Sequence, residues 1–296
     1  MKDPRFPLLT LLVLAAMVFP RPAFCLDVKR DIEFARVGDL SLRLDLYLPP
    51  AARPPLVVFV HGGGWRSGSK SDFPLGRLVA AGFAIASVDY RLSTQAQFPA
   101  QAHDIKAAIR YLRAHQTELG IDAHRIVISG ASAGGHLAAL VGTTNGNKEL
   151  EGDIGGNLDQ SSDVQGIISL FGASDFMTIL SQSTPHGLQV RAPALQLLLG
   201  GQPTEKPELA KLASPVDHID AHDPPLLLIH GDADPQMPPE QSKELAEAYQ
   251  RAGLPVQLVI IPGAVHGGKP FFDDERIALM KDFLDKIAAP SSGSSN

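Results

Sequence analysis

Arg125-Ile126-Val127-Ile128-Ser129-Gly130-Ala131-Ser132-Ala133-Gly134-Gly135-His136 carries a β-branched apolar run into a serine flanked at two residues on either side by glycine. Leu137-Ala138-Ala139-Leu140-Val141 then continues in helical composition. The order is strand, abrupt turn, helix. A serine held on such a turn leaves little room two residues before and after it, and Gly130 and Gly134 stand there without a Cβ. Ser132 Oγ would stand above the end of a sheet, with the N-terminus of the following helix beneath it. The positive end of a helix favours negative charge developing nearby. A loop serine between turn glycines fits the same five residues, so the reading depends on the rest of the chain.

Outward from that stretch, Leu56-Val57-Val58-Phe59-Val60 runs directly into His61-Gly62-Gly63-Gly64-Trp65. Three consecutive glycines let a backbone approach a substrate oxygen with its N–H groups turned inward. Further apolar runs lie at 84–88, 125–129, 166–171, 226–230 and 256–261. They do not alternate with polar residues, which suits parallel strands buried on both faces. Helical patterns fall between them, at about 74–81, 100–118, 133–143, 239–252 and 275–288; Ile105, Ala108, Ile109 and Leu112 show the spacing of one helix face. Before them, segments 31–37 and 41–48 read as an antiparallel pair, Leu42, Leu44, Leu46 and Leu48 alternating with Arg43, Asp45 and Tyr47. Strands alternating with helices predict a mostly parallel, doubly wound α/β sheet of about eight strands.

Two segments interrupt the alternation. Residues 144–163, rich in Gly, Asn, Asp and Ser, read as a long surface loop. Residues 176–223, with several prolines and the run Leu195-Gln196-Leu197-Leu198-Leu199, read as a helical insertion capping the sheet, with Leu197 and Leu198 as candidates to roof a pocket.

The 296 residues carry 44% hydrophobic and 20% charged side chains, enough for one large α/β domain, expected over 26–289. Residues 1–25 stand apart. Lys2 and Arg5 precede an apolar run from Leu8 to Phe19, and Ala23-Phe24-Cys25 offers small residues for cleavage. This is the layout of a secretory signal peptide and is short for a membrane span, so a secreted or periplasmic protein without stable membrane insertion is expected after its removal. Cys25 is the only cysteine, so a chain cut after it has neither disulfides nor thiolate metal sites. The net charge of −6 becomes more negative on cleavage, because Lys2, Arg5 and Arg21 leave with only Asp3; nothing points to a nucleic-acid partner. The tail 290–296 is disordered by composition.

A serine nucleophile needs a base, and the base needs an orienting carboxylate. After the glycine-flanked serine, Leu226-Leu227-Leu228-Ile229 leads into His230-Gly231-Asp232-Ala233-Asp234-Pro235-Gln236-Met237-Pro238, and the run 256–261 leads into Pro262-Gly263-Ala264-Val265-His266-Gly267. In chain order this resembles the α/β-hydrolase esterases: His-Gly-Gly-Gly as oxyanion motif, Gly-x-Ser-x-Gly as nucleophile elbow, then acid, then histidine. The resemblance implies Ser132, Asp234 and His266 as catalytic residues, and the N–H groups of Ala133, Gly63 and Gly64 as oxyanion hole. It implies Asp232 as a turn former, His61 as a brace for its loop, and His136 pointing away from Ser132. Asp175, after the run 166–171, is the competing acid.

Val88-Asp89-Tyr90-Arg91-Leu92 and Phe98-Pro99-Ala100-Gln101-Ala102-His103-Asp104 resemble hormone-sensitive-lipase-like esterases, with Asp89 and Asp104 expected to be structural. Gly155-Gly156-Asn157-Leu158-Asp159 with Phe171-Gly172-Ala173-Ser174-Asp175 is similar to exported bacterial carbohydrate and feruloyl esterases. The resemblance covers about residues 31–288. It implies hydrolysis, without cofactor or metal, of small aryl, acetyl or hydroxycinnamoyl esters or of ester-decorated polysaccharide. Arylformamidases and prolyl-oligopeptidase-type peptidases share parts of the pattern, and a non-catalytic binding module would require a triad position to be lost.

Overall fold

The structure, a computed structural model, describes residues 26–289. The expected signal peptide and the expected disordered tail lie outside the described residues. Eight strands form one sheet: β1 (Asp27–Val37), β2 (Leu40–Leu48), β3 (Pro55–Val60), β4 (Ala84–Val88), β5 (Asp122–Ala131), β6 (Gly166–Leu170), β7 (Leu226–Gly231) and β8 (Val256–Ile261). Their order is β1-β2-β4-β3-β5-β6-β7-β8; β2 runs antiparallel to both β1 and β4, and every later pair is parallel.

Side chains alternate across a strand, and β3 divides its residues accordingly. Leu56, Val58 and Val60 join the core built with α2 (Ala100–Ala114), α4 (Ala133–Gly142) and α9 (Glu240–Arg251). Val57 and Phe59 join a second core built with α1 (Gly76–Ala80) and α10 (Asp274–Ala288) on the opposite face. Burial on both faces is the reason the central strands read as unbroken apolar runs. The run 256–261 has another cause: β8 is an edge strand with Gln257 exposed and its neighbours only half-buried.

The helix expected over 100–118 breaks at His115 into α2 and a short α3 (Gln116–Leu119), which stops at Gly120 in a left-handed conformation. The loop expected over 144–163 contains one helical turn, α5 (Lys148–Glu151), capped by the Asn147 side chain accepting from Glu149 and Leu150 N–H. Within 176–223 lie α6 (Ile179–Gln182), α7 (Pro185–Leu199), α8 (Pro207–Leu212) and a 3₁₀ turn at Pro215–His218. Helix α7 is delimited by local chemistry. Thr184 accepts from Gly187 N–H at 2.9 Å, Pro185 occupies the first turn, and Gly200 closes the helix with φ 71°.

Candidate active site

The chain steps from β3 to β4 on one side and returns to β5 on the other, so β3 and β5 are neighbours whose following loops diverge. In an open α/β sheet this switch point leaves a crevice at the C-terminal strand ends. The glycine loop leaves β3 there and the serine turn leaves β5; Val60 pairs with Gly130 in register.

Ser132 sits at φ 57°, ψ −118° between β5 and α4, and its N–H donates to Leu170 O at 2.9 Å. A non-glycine residue held there costs about 1–3 kcal/mol and persists only when its surroundings enforce it. Here the enforcement is close packing. A Cβ on Gly130 would lie 2.1 Å from Gly134 O, and one on Gly134 would lie 2.0 Å from Val60 O. The Ser132 hydroxyl donates to His266 Nε2 at 2.8 Å, and His266 Nδ1–H donates to Asp234 Oδ2 at 2.6 Å, the tautomer being assigned from these partners.

Asp234 is closely held. Its Oδ1 accepts from Gln236 N–H at 2.8 Å and Met237 N–H at 2.9 Å, while His230 Nε2 stands 3.4 Å from Oδ2. Burial alone would raise its pKa, but the histidine contacts and backbone N–H donors outweigh it and hold the carboxyl well below the usual range. His230 donates to Met237 O at 3.1 Å and accepts from Ser242 at 2.7 Å, which fixes the turn that carries Asp234.

The competing acid is elsewhere. Asp175 caps its own turn, Oδ1 accepting from Met177 N–H at 2.7 Å, and its N–H donates to Gln241 Oε1 at 2.9 Å. Asp232 accepts from Gly263 N–H at 2.6 Å, across the two loops that carry Asp234 and His266. Asp104 receives the Arg91 guanidinium, and Asp89 accepts from Lys70 N–H at 2.8 Å.

The glycine loop is braced from below. His61 stacks on Tyr90 with ring centroids 4.3 Å apart and donates to Gly62 O at 2.8 Å, and burial depresses its pKa. Gly63 has φ 104°, and a Cβ there would lie 2.1 Å from Ser67 O. Gly63 and Gly64 line the cleft, and among the described residues neither N–H has a protein acceptor. Ala133 occupies the first turn of α4, where helix N–H groups lack an intrahelical partner.

Fully buried Trp65 ties the two glycine motifs together. Its Nε1–H donates to His136 Nδ1 at 3.1 Å, and His136 Nε2–H donates to Ala213 O at 2.6 Å. Complete burial pushes His136 down to about 4, so it stays neutral and serves as a strut.

The cleft holds about 360 Å³ and is lined by Gly62–Gly64, Ser132 and His266, with Phe171, Arg66, Gln236 and the α7 face Val190, Arg191 and Ala194. Leu197 and Leu198 do not roof it. Leu198 is buried in the core and Leu197 faces solvent, because the insertion meets the cleft one to two turns nearer the N-terminus of α7. Sequence reading missed Arg191, although a single cation within Gln189-Val190-Arg191-Ala192-Pro193-Ala194-Leu195 was its visible signal. Among the described residues no cluster of three or more His, Cys, Asp or Glu side chains could hold a metal ion.

Residues 44–249 match the BD-FAE family model. Esterase LipC of Mycobacterium tuberculosis is 31% identical over 237 residues, which cover 79% of this chain and 57% of LipC. The chain thus spans little more than half of that curated relative. Among solved structures, a truncated carbohydrate esterase from gut microbiota superposes with a TM-score of 0.82 at 32% identity, covering 90% of this chain and 97% of that one. Propionate-bound Est2 of Thermogutta terrifontis gives 0.70 at 31% identity, covering 92% and 97%. The chain therefore belongs to the BD-FAE family, within the α/β-hydrolase esterases.

Proposed function

We propose that this protein is a serine carboxylesterase that cleaves small esters through an acyl-enzyme. The observation that carries the reading is the unbroken hydrogen-bonded chain from Ser132 through His266 to Asp234, opening into a cleft beside Gly63 and Gly64. Ser132 Oγ attacks the ester carbonyl carbon and its proton passes to His266 Nε2. Asp234, ionised and held on four sides, keeps the imidazole in the accepting tautomer and stabilises the imidazolium. The carbonyl oxygen becomes an oxyanion facing the N–H groups of Ala133, Gly63 and Gly64, which have no protein acceptor to give up. Collapse of the tetrahedral intermediate expels the alcohol, which takes the proton from His266. A water molecule then gives its proton to His266 as it attacks the acyl carbon, and the acid leaves as Ser132 regains its hydrogen.

Acetyl, small aryl and hydroxycinnamoyl esters are the substrates we favour, free or as decorations of polysaccharide. The carbohydrate esterase and the propionate-bound esterase among the structural relatives support this choice. Export through the segment 1–25 belongs to the same reading and is supported by its sequence alone. The test is a panel of 4-nitrophenyl acetate and butyrate, methyl ferulate and acetylated xylan, with N-formylkynurenine and a prolyl anilide beside them. Turnover confined to the esters is expected; preferential cleavage of the formamide or the anilide would replace the reading.

A further inference from the structure

The cleft that holds Ser132 is lined by two arginines, Arg66 and Arg191, and by no carboxylate. In a chain of net charge −6 this is a local reversal of sign. Arg66 follows the glycine loop, is exposed, and has no ion-pair partner among the described residues. Arg191 is only 2% exposed. A guanidinium that deep ordinarily lies against a carboxylate.

Arg191 has no such partner. Its Nη2 donates to Gln236 O at 2.9 Å, the cation stands 5.8 Å from the Trp65 ring centroid, and Nε is buried without an acceptor. The nearest negative charge acting on it is Asp234, whose oxygens are already occupied by His266, His230 and two backbone N–H groups. Burial pulls the guanidinium down to about 10 against the opposing pull of Asp234, so it remains a cation at neutral pH. A strut between α7 and the Asp234 loop would need only the contact with Gln236. That role leaves the charge without a purpose, and an anion entering the cleft that Arg191 lines would relieve its cost.

We propose that the cleft selects esters bearing a carboxylate near the scissile bond, which Arg191 binds directly and exposed Arg66 attracts. The proposal rests on the esterase reading of Ser132 and narrows its substrate class. The carboxylate has two possible sources: an acyl part, as in the half-ester of a dicarboxylic acid, or an alcohol part, as in an acylated uronic acid or hydroxybenzoate.

Two pairs of probes distinguish them. Mono-4-nitrophenyl adipate is compared with its neutral methyl ester, and 4-acetoxybenzoate with 4-acetoxybenzamide. In one pair, wild-type kcat/KM for the anion should exceed that for the neutral ester by about ten- to a hundredfold, the range of a hydrogen bond to a charged group. That ratio should fall to near one in Arg191→Gln, be partly restored in Arg191→Lys, and fall severalfold in Arg66→Gln, an exposed position that folding tolerates. The wild-type ratio needs no variant, so a misfolded Arg191→Gln does not spare the proposal. Neutral esters cleaved with no anionic preference in either pair would overturn it and leave the esterase reading standing. A preference unchanged by the arginine substitutions would also overturn it, as would a loss in Arg191→Gln that is equal for anion and neutral ester. No turnover of any probe would sink both readings.

Discussion

Asp234 and Asp175 follow neighbouring strands, and their surroundings separate them. Asp234 meets His266 Nδ1 at 2.6 Å, whereas Asp175 is engaged with Met177 N–H in its own turn. Asp234→Asn should therefore lower kcat by about ten-thousand-fold, because an amide there favours the wrong imidazole tautomer. Asp175→Asn should lower it far less. Parallel kinetics with circular dichroism of both variants checks the ranking, and the reverse order would move the acid to β6. A second carboxylate affects stability. Burial pushes Asp223 up to about 7, above the ordinary unfolded value of about 4. The folded state therefore holds this proton more tightly, so the group costs nothing below about pH 4, costs progressively more as pH rises toward 7, and costs its full amount above that. Asn can still accept from Asp220 N–H, as Asp223 does at 3.2 Å. Asp223→Asn should raise Tm more at pH 8 than at pH 4.5, and an equal gain at both would contradict the assignment.

At the scale of elements, Ser132, His266 and Asp234 were legible as candidates because each follows an apolar run and stands beside turn residues, which are local signals. Arg191 and the Trp65–His136–Ala213 link were not. Their partners are distant in sequence, 71 residues separating Trp65 from His136 and 77 separating His136 from Ala213. The insertion illustrates the same limit. Thr184, Pro185 and Gly200 mark the ends of α7, but its cleft-facing side depends on how it docks, and the Leu-rich end faces the core and solvent. Val190, half-buried on the cleft wall, is the position that reports on this side. Val190→Trp should lower the rate on butyrate relative to acetate esters severalfold, read as the ratio of kcat/KM values. A constant ratio would mean that α7 does not shape the acyl space.

For the molecule as a whole, sheet order does the assembling. The switch between β3 and β5 sets the glycine loop beside the serine turn, and β6 to β8 extend the sheet so that the loops after β7 and β8 bring Asp234 and His266 to Ser132. Parallel architecture was readable from unbroken apolar runs alternating with helical ones. The edge position of β8 was not, since an apolar run half-buried at an edge looks the same as one buried at the centre. The central claim is that this assembly makes one serine nucleophilic. Its most direct measurement is the intact mass of wild type and Ser132→Ala after treatment with a fluorophosphonate, followed by peptide mapping. Wild type should gain one adduct, on the peptide containing Ser132, and the variant should gain none while losing about a million-fold in esterase rate. An adduct on another serine, or equal labelling of the variant, would contradict it.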